Sequence, residues 1–303
     1  MIDWPSYNRS LVRRGEILFS YDFLDTWGYE LDRMNEGKKG KPFVFPNSFI
    51  LVIGYIRYSF HLPYRQTEGI IKATGKRLPS KSPSYGHICK RINILNIDIK
   101  RDKTVDDDND DYIIVSIDST GIKVTNRGQW MSEKWNKQNK RGYLKIHVAV
   151  DIKTKEILAL EVTDEKIHDG KMLRKLVNHV LDSSNSRGPR KIKIKSVLAD
   201  GAYDSNTNFR YLEEKGIKPG IMVRKNSVVS PRNYRLRNKE AIRQTKDLPK
   251  WKKNRKYGYR WMAETTFSSI KRMFGEHASA TRFQNMVNEM MIKVSLYNLF
   301  RRI

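Results

Sequence analysis

The stretch Tyr112–Val124, YIIVSIDSTGIKV, opens the part of the sequence that decides the fold. Its β-branched residues are typical of a strand. Two similar runs follow after turns, YLKIHVAVDIKT at 143–154 and EILALEVTD at 156–164. Together the runs predict three antiparallel strands in series.

Helix and strand patterns then alternate along the chain. Residues 171–181 have helical spacing, KIKSVLAD at 193–200 has a strand pattern, and a helix and a strand follow up to residue 225. This order predicts an α/β domain, in which helices pack on the faces of a mixed sheet. It matches the ribonuclease H-like architecture. Two further helices are predicted, from about 259 to 274 and from 286 to 300.

The region before the predicted sheet has helical patterns. Asn47 can cap a helix through SFILVIGYIRYSF, a second helix spans 64–73, and a third starts near Ser84. Three short helices are typical of a helix-turn-helix, whose third helix enters a DNA groove. A small helical bundle that reads no DNA fits equally well. Six Asp among residues 102–111 then predict a solvated acidic linker.

The chain is strongly basic, since its 303 residues carry a formal net charge of +26. Such an excess favours a polyanionic partner, usually nucleic acid. The stretch 224–256 alone holds 13 Lys or Arg and two acidic residues without a periodic pattern, and its Trp251 suits base stacking and burial equally. A single cysteine excludes a disulfide framework and a multi-cysteine zinc module. Because no signal peptide or membrane-length apolar run is found, we expect a cytoplasmic protein.

Two acidic residues stand where burial is expected. Asp118 interrupts the apolar run of the first strand, and Asp200 ends the run SVLAD. A buried carboxylate needs a compensating cation, either Lys or Arg in an ion pair or a divalent metal. Oxygen ligands in such a site suit Mg²⁺ or Mn²⁺.

Neighbouring polar residues give weaker signals. Asp204 is interpreted as a helix N-cap or as a group beside the site rather than as a ligand. The pair His168–Asp169 has no partner at a metal-like spacing, and Ser119 has no base that would make it a nucleophile.

A third acid, Glu264, shares its surroundings with an aromatic residue and two cations. If the helix that carries it extends back to Tyr257, then Tyr257, Arg260, Glu264 and Lys271 fall within an arc about 60° wide, at about 100° per residue. This polar stripe borders an apolar one, as expected of groups that line a cleft. An exposed helix with an Arg260–Glu264 ion pair is the simpler alternative.

The spacing Y-x2-R-x3-E-x6-K resembles the signature of a large superfamily of insertion-sequence DDE transposases. Longer segments resemble members of insertion-sequence family five along nearly the whole chain. These segments are WPSYNRSLVRRGEI, VSIDSTGIKV, RGYLKIHVAVD, LADGAYDS and WMAETTFSSIKRMFG. The resemblance implies a ribonuclease H-like catalytic core with the glutamate on a late helix.

The same resemblance assigns roles to individual residues. Asp118, Asp200 and Glu264 match the catalytic DDE triad, which holds two divalent ions, Mg²⁺ or Mn²⁺. Tyr257, Arg260 and Lys271 match positions expected to touch DNA phosphates near the transposon end. The chain would then consist of an N-terminal DNA-binding region (1–101), the acidic linker (102–111) and a catalytic domain (112–303) with a basic insertion at about 224–256.

The implied function is cleavage of insertion-sequence ends and their joining to target DNA by a homodimer assembled on DNA. The partners would be terminal inverted repeats and target DNA, in a protein associated with the nucleoid. A domesticated metal-dependent endonuclease and a catalytically inactive DNA-binding protein are the alternatives. Terminal inverted repeats beside the gene would distinguish the transposase from the endonuclease.

Overall fold

The computed structural model describes residues 3–74, 78–99, 112–124, 143–183, 193–230 and 235–303. The chain divides into two compact units, which we call the helical unit (Met1–Asp98 with Ala280–Ile303) and the sheet unit (Ile99–Ser279). The predicted acidic linker at 102–111 lies outside the described residues. Among the described helices, none is both long and apolar enough to cross a membrane.

The helices and strands follow one another in three groups. The helical unit begins with α1 (Trp4–Leu18), α2 (Trp27–Asn35), α3 (Asn47–Ser59), α4 (Tyr64–Thr74) and α5 (Tyr85–Ile94). The sheet unit contains β1 (Tyr112–Val124), β2 (Tyr143–Asp151), β3 (Ile157–Asp164), α6 (Leu173–Ser183), β4 (Lys193–Ala199), α7 (Asn206–Glu214), β5 (Lys218–Ile221), α8 (Leu236–Lys246), α9 (Leu248–Asn254), α10 (Trp261–Phe274) and β6 (His277–Ala278). The last helix, α11 (Phe283–Arg301), returns to the helical unit.

The three helices predicted in the N-terminal region are present as α3, α4 and α5, and they pack against one another. Ser84 caps α5, because its side chain accepts a hydrogen bond from the His87 amide. Two earlier helices, α1 and α2, were not predicted. Most of α1 is solvent-exposed, including its apolar residues Trp4, Tyr7 and Leu11.

The C-terminal helix does not lie in the predicted domain, because the predicted division placed all of residues 112–303 in one domain. Residues 280–303 group with the N-terminal helices, because α11 packs against α3 and α5. Close approach is possible where α3 carries Gly54, since a Cβ there would lie 3.3 Å from a methyl of Ile292. Buried residues of α11, among them Met290, Ile292 and Leu296, therefore complete the core of the helical unit.

The sheet unit has the predicted mixed sheet, with strand order β3-β2-β1-β4-β5. Strands β1, β2 and β3 form an antiparallel meander, whereas β4 and β5 run parallel to β1. Short β6 pairs with the end of β1. An antiparallel meander followed by parallel strands, with helices between them, is a ribonuclease H-like fold.

Alternation along β1 separates two faces of the sheet. Ile113, Val115 and Ile117 belong to the core cluster that includes the apolar faces of α6 and α7. On the other face, the Ser116 hydroxyl donates to the Arg260 carbonyl at 2.8 Å, just before α10 begins. Asp118 shares this second face with Ser116, because side chains two residues apart point the same way in a strand.

The basic stretch is more regular than its sequence pattern indicates, since α8 and α9 both lie within it. Glu240 is fully buried and explains this order: it accepts hydrogen bonds from Arg255 and from the indole of Trp251, at 2.5 and 2.8 Å, and also pairs with Arg243. Trp251 is only 4% exposed. Base stacking by Trp251, one of the two options left open above, is therefore wrong for this conformation.

Candidate active site

Parallel pairing of β1 with β4 brings two of the predicted site residues next to each other in the sheet. The last β1–β4 pair in the described strands is Ser116 with Leu198. Asp118 and Asp200 each lie two residues further along, so the two carboxylates stand at equivalent positions beside each other. Asp200 directly follows β4 and is fixed by the Ala202 amide, which donates to its Oδ1 at 2.9 Å.

The Asp118 carboxylate lies in a poorly solvated and acidic environment. Its side chain is 17% exposed, and its Oδ1 accepts a hydrogen bond from the Ser119 amide at 2.9 Å. Burial raises the pKa of Asp118 to about 6, and the charges of Asp200 and Glu264 add to this effect. The Ser119 amide and Arg260 act in the opposite direction. Both of the other predicted acids are thus close enough to influence Asp118.

Arg260 lies between two of the three acids. Its guanidinium is 3.7 Å from Asp118 Oδ2 and donates to Glu264 Oε1 at 2.5 Å. The predicted Arg260–Glu264 ion pair is therefore present, but it is part of a larger group that includes Asp118. Glu264 is the more accessible of the two acids that Arg260 contacts, with 53% of its side chain exposed.

The α-helix that carries Glu264 does not extend back to Tyr257, as the shared arc of side chains would require. Tyr257–Arg260 forms a 3₁₀ turn, and the α-helix begins at Trp261. Lys256, just before the turn, has a left-handed φ of 53°, so the chain changes direction there. Tyr257 therefore does not share a continuous α-helical stripe with Glu264.

Tyr257 is nevertheless brought to the site by this turn. Its ring contacts that of Trp251, with centroids 5.3 Å apart. Burial raises the pKa of the Tyr257 hydroxyl, and the negative charges of Asp200, Asp118 and Glu264 raise it further, whereas Arg260 lowers it.

Lys271 reaches the same face of β1 from two turns further along α10. Its Nζ donates to the Thr120 hydroxyl at 2.9 Å. Thr120 is two residues beyond Asp118 and points to the same side of the sheet. All six predicted site residues thus surround the middle of β1: Asp118, Asp200, Tyr257, Arg260, Glu264 and Lys271.

Sequence reasoning missed Asp169, which lies at the opposite face of β1. One of its oxygens accepts a hydrogen bond from the Ser119 hydroxyl at 2.8 Å and pairs with Lys145 Nζ at 2.6 Å. No spacing rule could have found it, because its partners come from strands β1 and β2. Tyr203, which is fully buried, has its pKa raised by burial and then by the charges of Asp169, Asp118 and Asp200.

Asp204 is neither a ligand nor the cap of α7. Ser205 caps that helix by accepting from the Asn208 amide. Asp204 instead forms a two-pronged ion pair with Arg237 of α8, at 2.6 and 2.8 Å. It therefore ties the basic stretch to the turn that follows Asp200, which agrees with its interpretation as a group beside the site.

The donor chemistry fits a hard divalent cation. Asp118, Asp200 and Glu264 offer only carboxylate oxygens, the ligands that Mg²⁺ and Mn²⁺ prefer. A cation among them would also offset the repulsion between these carboxylates. In the conformation described, no three Asp, Glu, His or Cys side chains of the described residues form a group that could hold a metal ion.

Two family models match this chain. Residues 109–299 match the family model for the transposase DDE domain. A second model with the same description matches residues 12–127. The chain belongs to the DDE transposase family. It is a DNA transposase, whose family carries out metal-dependent DNA cleavage and strand transfer with divalent ions.

Two solved transposase structures are similar to this DDE transposase. One is a synaptic complex of piggyBac transposase with hairpin DNA, which is 10% identical, with a TM-score of 0.40 over 95% of this chain and 73% of that chain. The other is a strand transfer complex of the Drosophila P element transposase, which is 13% identical, with a TM-score of 0.30 over 91% of this chain and 69% of that chain.

Replacing Asp118 with Asn should make the metal-free transposase more stable at high pH. The native state keeps a proton on Asp118 up to a pKa of about 6, whereas the unfolded state loses it near 3.8. Wild-type stability therefore falls as the pH rises through this window, whereas an asparagine side chain at this position cannot ionise. In chelator, urea unfolding at pH 8 should show Asp118→Asn more stable by about 1–3 kcal/mol, with the difference gone below about pH 4. An equal difference at both pH values would contradict the assigned cause.

Proposed function

We propose that this transposase is of the insertion-sequence family five type and carries the Y-x2-R-x3-E-x6-K signature. It cleaves the ends of its insertion sequence and joins them to target DNA. The observation that carries the proposal is the arrangement of Tyr257, Arg260 and Lys271 around Asp118 in the middle of β1. The whole signature then serves one site.

Asp118, Asp200 and Glu264 are proposed to hold two Mg²⁺ or Mn²⁺ ions. Such a pair of ions activates a water or a 3′-hydroxyl and stabilises the leaving oxygen of an in-line displacement. The protein contributes the placement of its carboxylates: backbone amides fix Oδ1 of Asp118 and of Asp200. The second oxygen of Asp118 faces Arg260 at 3.7 Å, where a metal ion could take the place of the guanidinium.

Arg260 and Lys271 are proposed to bind backbone phosphates of the transposon end, with Tyr257 beside them. Arg260 is 24% exposed and already lies between Asp118 and Glu264. A phosphate that arrives at the acids would compete for the same guanidinium, because Arg binds phosphate through paired hydrogen bonds. A groove of about 540 Å³ continues from Arg260 and is lined by Lys252, Lys253, Lys256, Tyr257, Gly258, Tyr259, Arg260 and Trp261.

The helical region 1–101 is proposed to bind the terminal inverted repeats, and residues 112–279 of the sheet unit to perform catalysis. Supporting this, a groove of about 600 Å³ opens at the start of α4 and α5, lined by Pro63, Tyr64, Arg65, Gln66, Tyr85, Gly86, Cys89 and Lys90. The first residues of a third helix are those that reach base edges in a helix-turn-helix. We also propose a homodimer on DNA, since two ends need two active sites, and residence on nucleoid DNA in the cytoplasm.

The test starts from the DNA beside the gene, where the proposal requires short terminal inverted repeats. The purified protein is incubated with a fragment bearing those repeats, a supercoiled target plasmid and Mg²⁺. We expect cleavage at the repeats and insertion into the plasmid, both lost when the repeats are scrambled or the metal is chelated. Cleavage without joining would instead support the endonuclease, and binding without cleavage the inactive DNA-binding protein.

A further inference from the structure

A polar cluster lies behind Asp118, on the face of the sheet opposite to the proposed metal site. We call it the Asp169 cluster; its members are Ser119 on β1, Lys145 and His147 on β2, and Asp169. Asp169 Oδ1 accepts from the Ser119 hydroxyl at 2.8 Å and pairs with Lys145 Nζ at 2.6 Å. His147, fully buried, has its Nδ1 3.5 Å from the same oxygen.

The cluster is joined to the proposed site through a single residue. Ser119 donates its hydroxyl to Asp169 on one face of the sheet and its amide to Asp118 Oδ1, at 2.9 Å, on the other. The same residue thus contacts Asp169 and the carboxylate proposed to bind metal.

Strand pairing alone holds this part of β1 on one side only. β2 pairs with β1 through Asp118, Ser119 and beyond, whereas the last pair with β4 is Ser116 with Leu198. On the β4 side, the described ladder therefore leaves the peptide between Asp118 and Ser119 without strand support. The contact of Ser119 with Asp169 provides a second attachment at this position.

We propose that Asp169 is a positioning residue for Asp118, acting through Ser119. Asp169 does not need to contact metal or DNA, because the ammonium of Lys145 already balances its charge. Both side chains are largely buried, at 24% exposed for Lys145 and 19% for Asp169, so this ion pair holds a defined geometry. The inference rests on the proposed function, in which Asp118 is a metal ligand.

Partners that orient a metal ligand affect metal affinity without touching the metal. Loss of the Ser119–Asp169 contact should therefore let the Asp118 carboxylate leave the orientation it needs, while the fold is retained. A role in folding alone would change stability but not the metal concentration that the site requires. This difference gives the test its readout.

The experiment compares Ser119→Ala, Asp169→Ala and Ser119→Thr with wild type, with Glu213→Gln on the exposed side of α7 as the control. Two quantities are measured: the Mg²⁺ concentration for half-maximal cleavage of end DNA, and Mn²⁺ binding by calorimetry without DNA. Ser119→Ala and Asp169→Ala should each weaken metal binding by about 10–100-fold, because each removes one partner of the contact. Ser119→Thr keeps the hydroxyl and should remain close to wild type.

The double variant Ser119→Ala/Asp169→Ala should be no worse than the worse single variant, because both changes break the same contact. Unchanged metal binding in Ser119→Ala, or additive losses in the double variant, would overturn the proposal. Asp118→Ala is measured alongside them. If Asp118→Ala binds Mn²⁺ and cleaves DNA as wild type does, the proposed metal site fails; if only the Ser119 and Asp169 variants behave as wild type, the inference fails and the proposed site stands.

Discussion

Glu264→Gln, Asp118→Asn and Asp200→Asn should each reduce the rate of DNA cleavage by more than about 100-fold. A loss of about 100-fold is the most that is expected when a residue only orients a metal ligand. Each change keeps the size and shape of the side chain but removes the negative charge that a divalent ion requires. Cleavage of end DNA in Mg²⁺ under single-turnover conditions measures the effect. Glu213→Gln, which removes one negative charge from an exposed position on α7, should cleave at the wild-type rate.

The Glu264→Gln variant separates catalysis from folding most clearly. The Glu264 side chain is 53% exposed, and the amide oxygen of the introduced glutamine can still accept from Arg260. The urea midpoint of this variant should therefore match wild type, and binding to end DNA should be retained or strengthened because a charge that repels phosphate is gone. Wild-type cleavage by any one of the three variants would remove that residue from the proposed triad.

The alternating strand patterns explain why the fold could be predicted well. The strands around Asp118 and Asp200 are bounded by turns and rich in β-branched residues, and they are present as β1 and β4. The parallel register of β1 and β4 sets the two aspartates side by side, and it depends on the crossover that connects these strands. A family resemblance was needed to anticipate this pairing. Local patterns therefore predicted the elements, and topology decided their pairing.

Contacts between distant segments account for what could not be predicted. The order of the basic stretch depends on buried Glu240, which accepts hydrogen bonds from Trp251 in the following helix and from Arg255 just after it. Periodicity does not detect an element organised around a buried charge, because its residues look polar throughout. Asp169 was set aside for a related reason: its partners Ser119 and Lys145 come from other strands.

The affinity of the transposase for duplex DNA should fall steeply with salt. Each phosphate neutralised by Lys or Arg contributes about −0.9 to the slope of log K against log salt. A protein that makes about 6–10 such contacts loses about 10³–10⁵ in affinity between 50 and 200 mM salt. The net charge of +26 makes that number of contacts attainable. Titration of labelled end DNA by fluorescence anisotropy at several salt concentrations measures the slope.

Three lysines allow us to test where DNA phosphates contact the protein. Lys252, Lys253 and Lys256 are exposed and line the groove that continues to Arg260. Replacing all three with Ala should make the slope shallower by about 2–3 units, because each lost phosphate contact removes about one. The three lysines are exposed and are not the residues that bond to Glu240, which are Trp251, Arg255 and Arg243, so the fold of α8 and α9 should survive the change.

Three lysines at the other end of the same sheet provide a matched control variant. Lys193 and Lys195 are at the start of β4 and Lys218 is at the start of β5, whereas Asp200 follows the end of β4. All three lysines are exposed, so replacing them with Ala removes the same net charge as the groove variant. If long-range charge alone governed binding, the two triple variants would shift the slope equally. Because short-range phosphate contacts dominate, only the groove variant should do so, and an equal shift would show that DNA does not follow this groove.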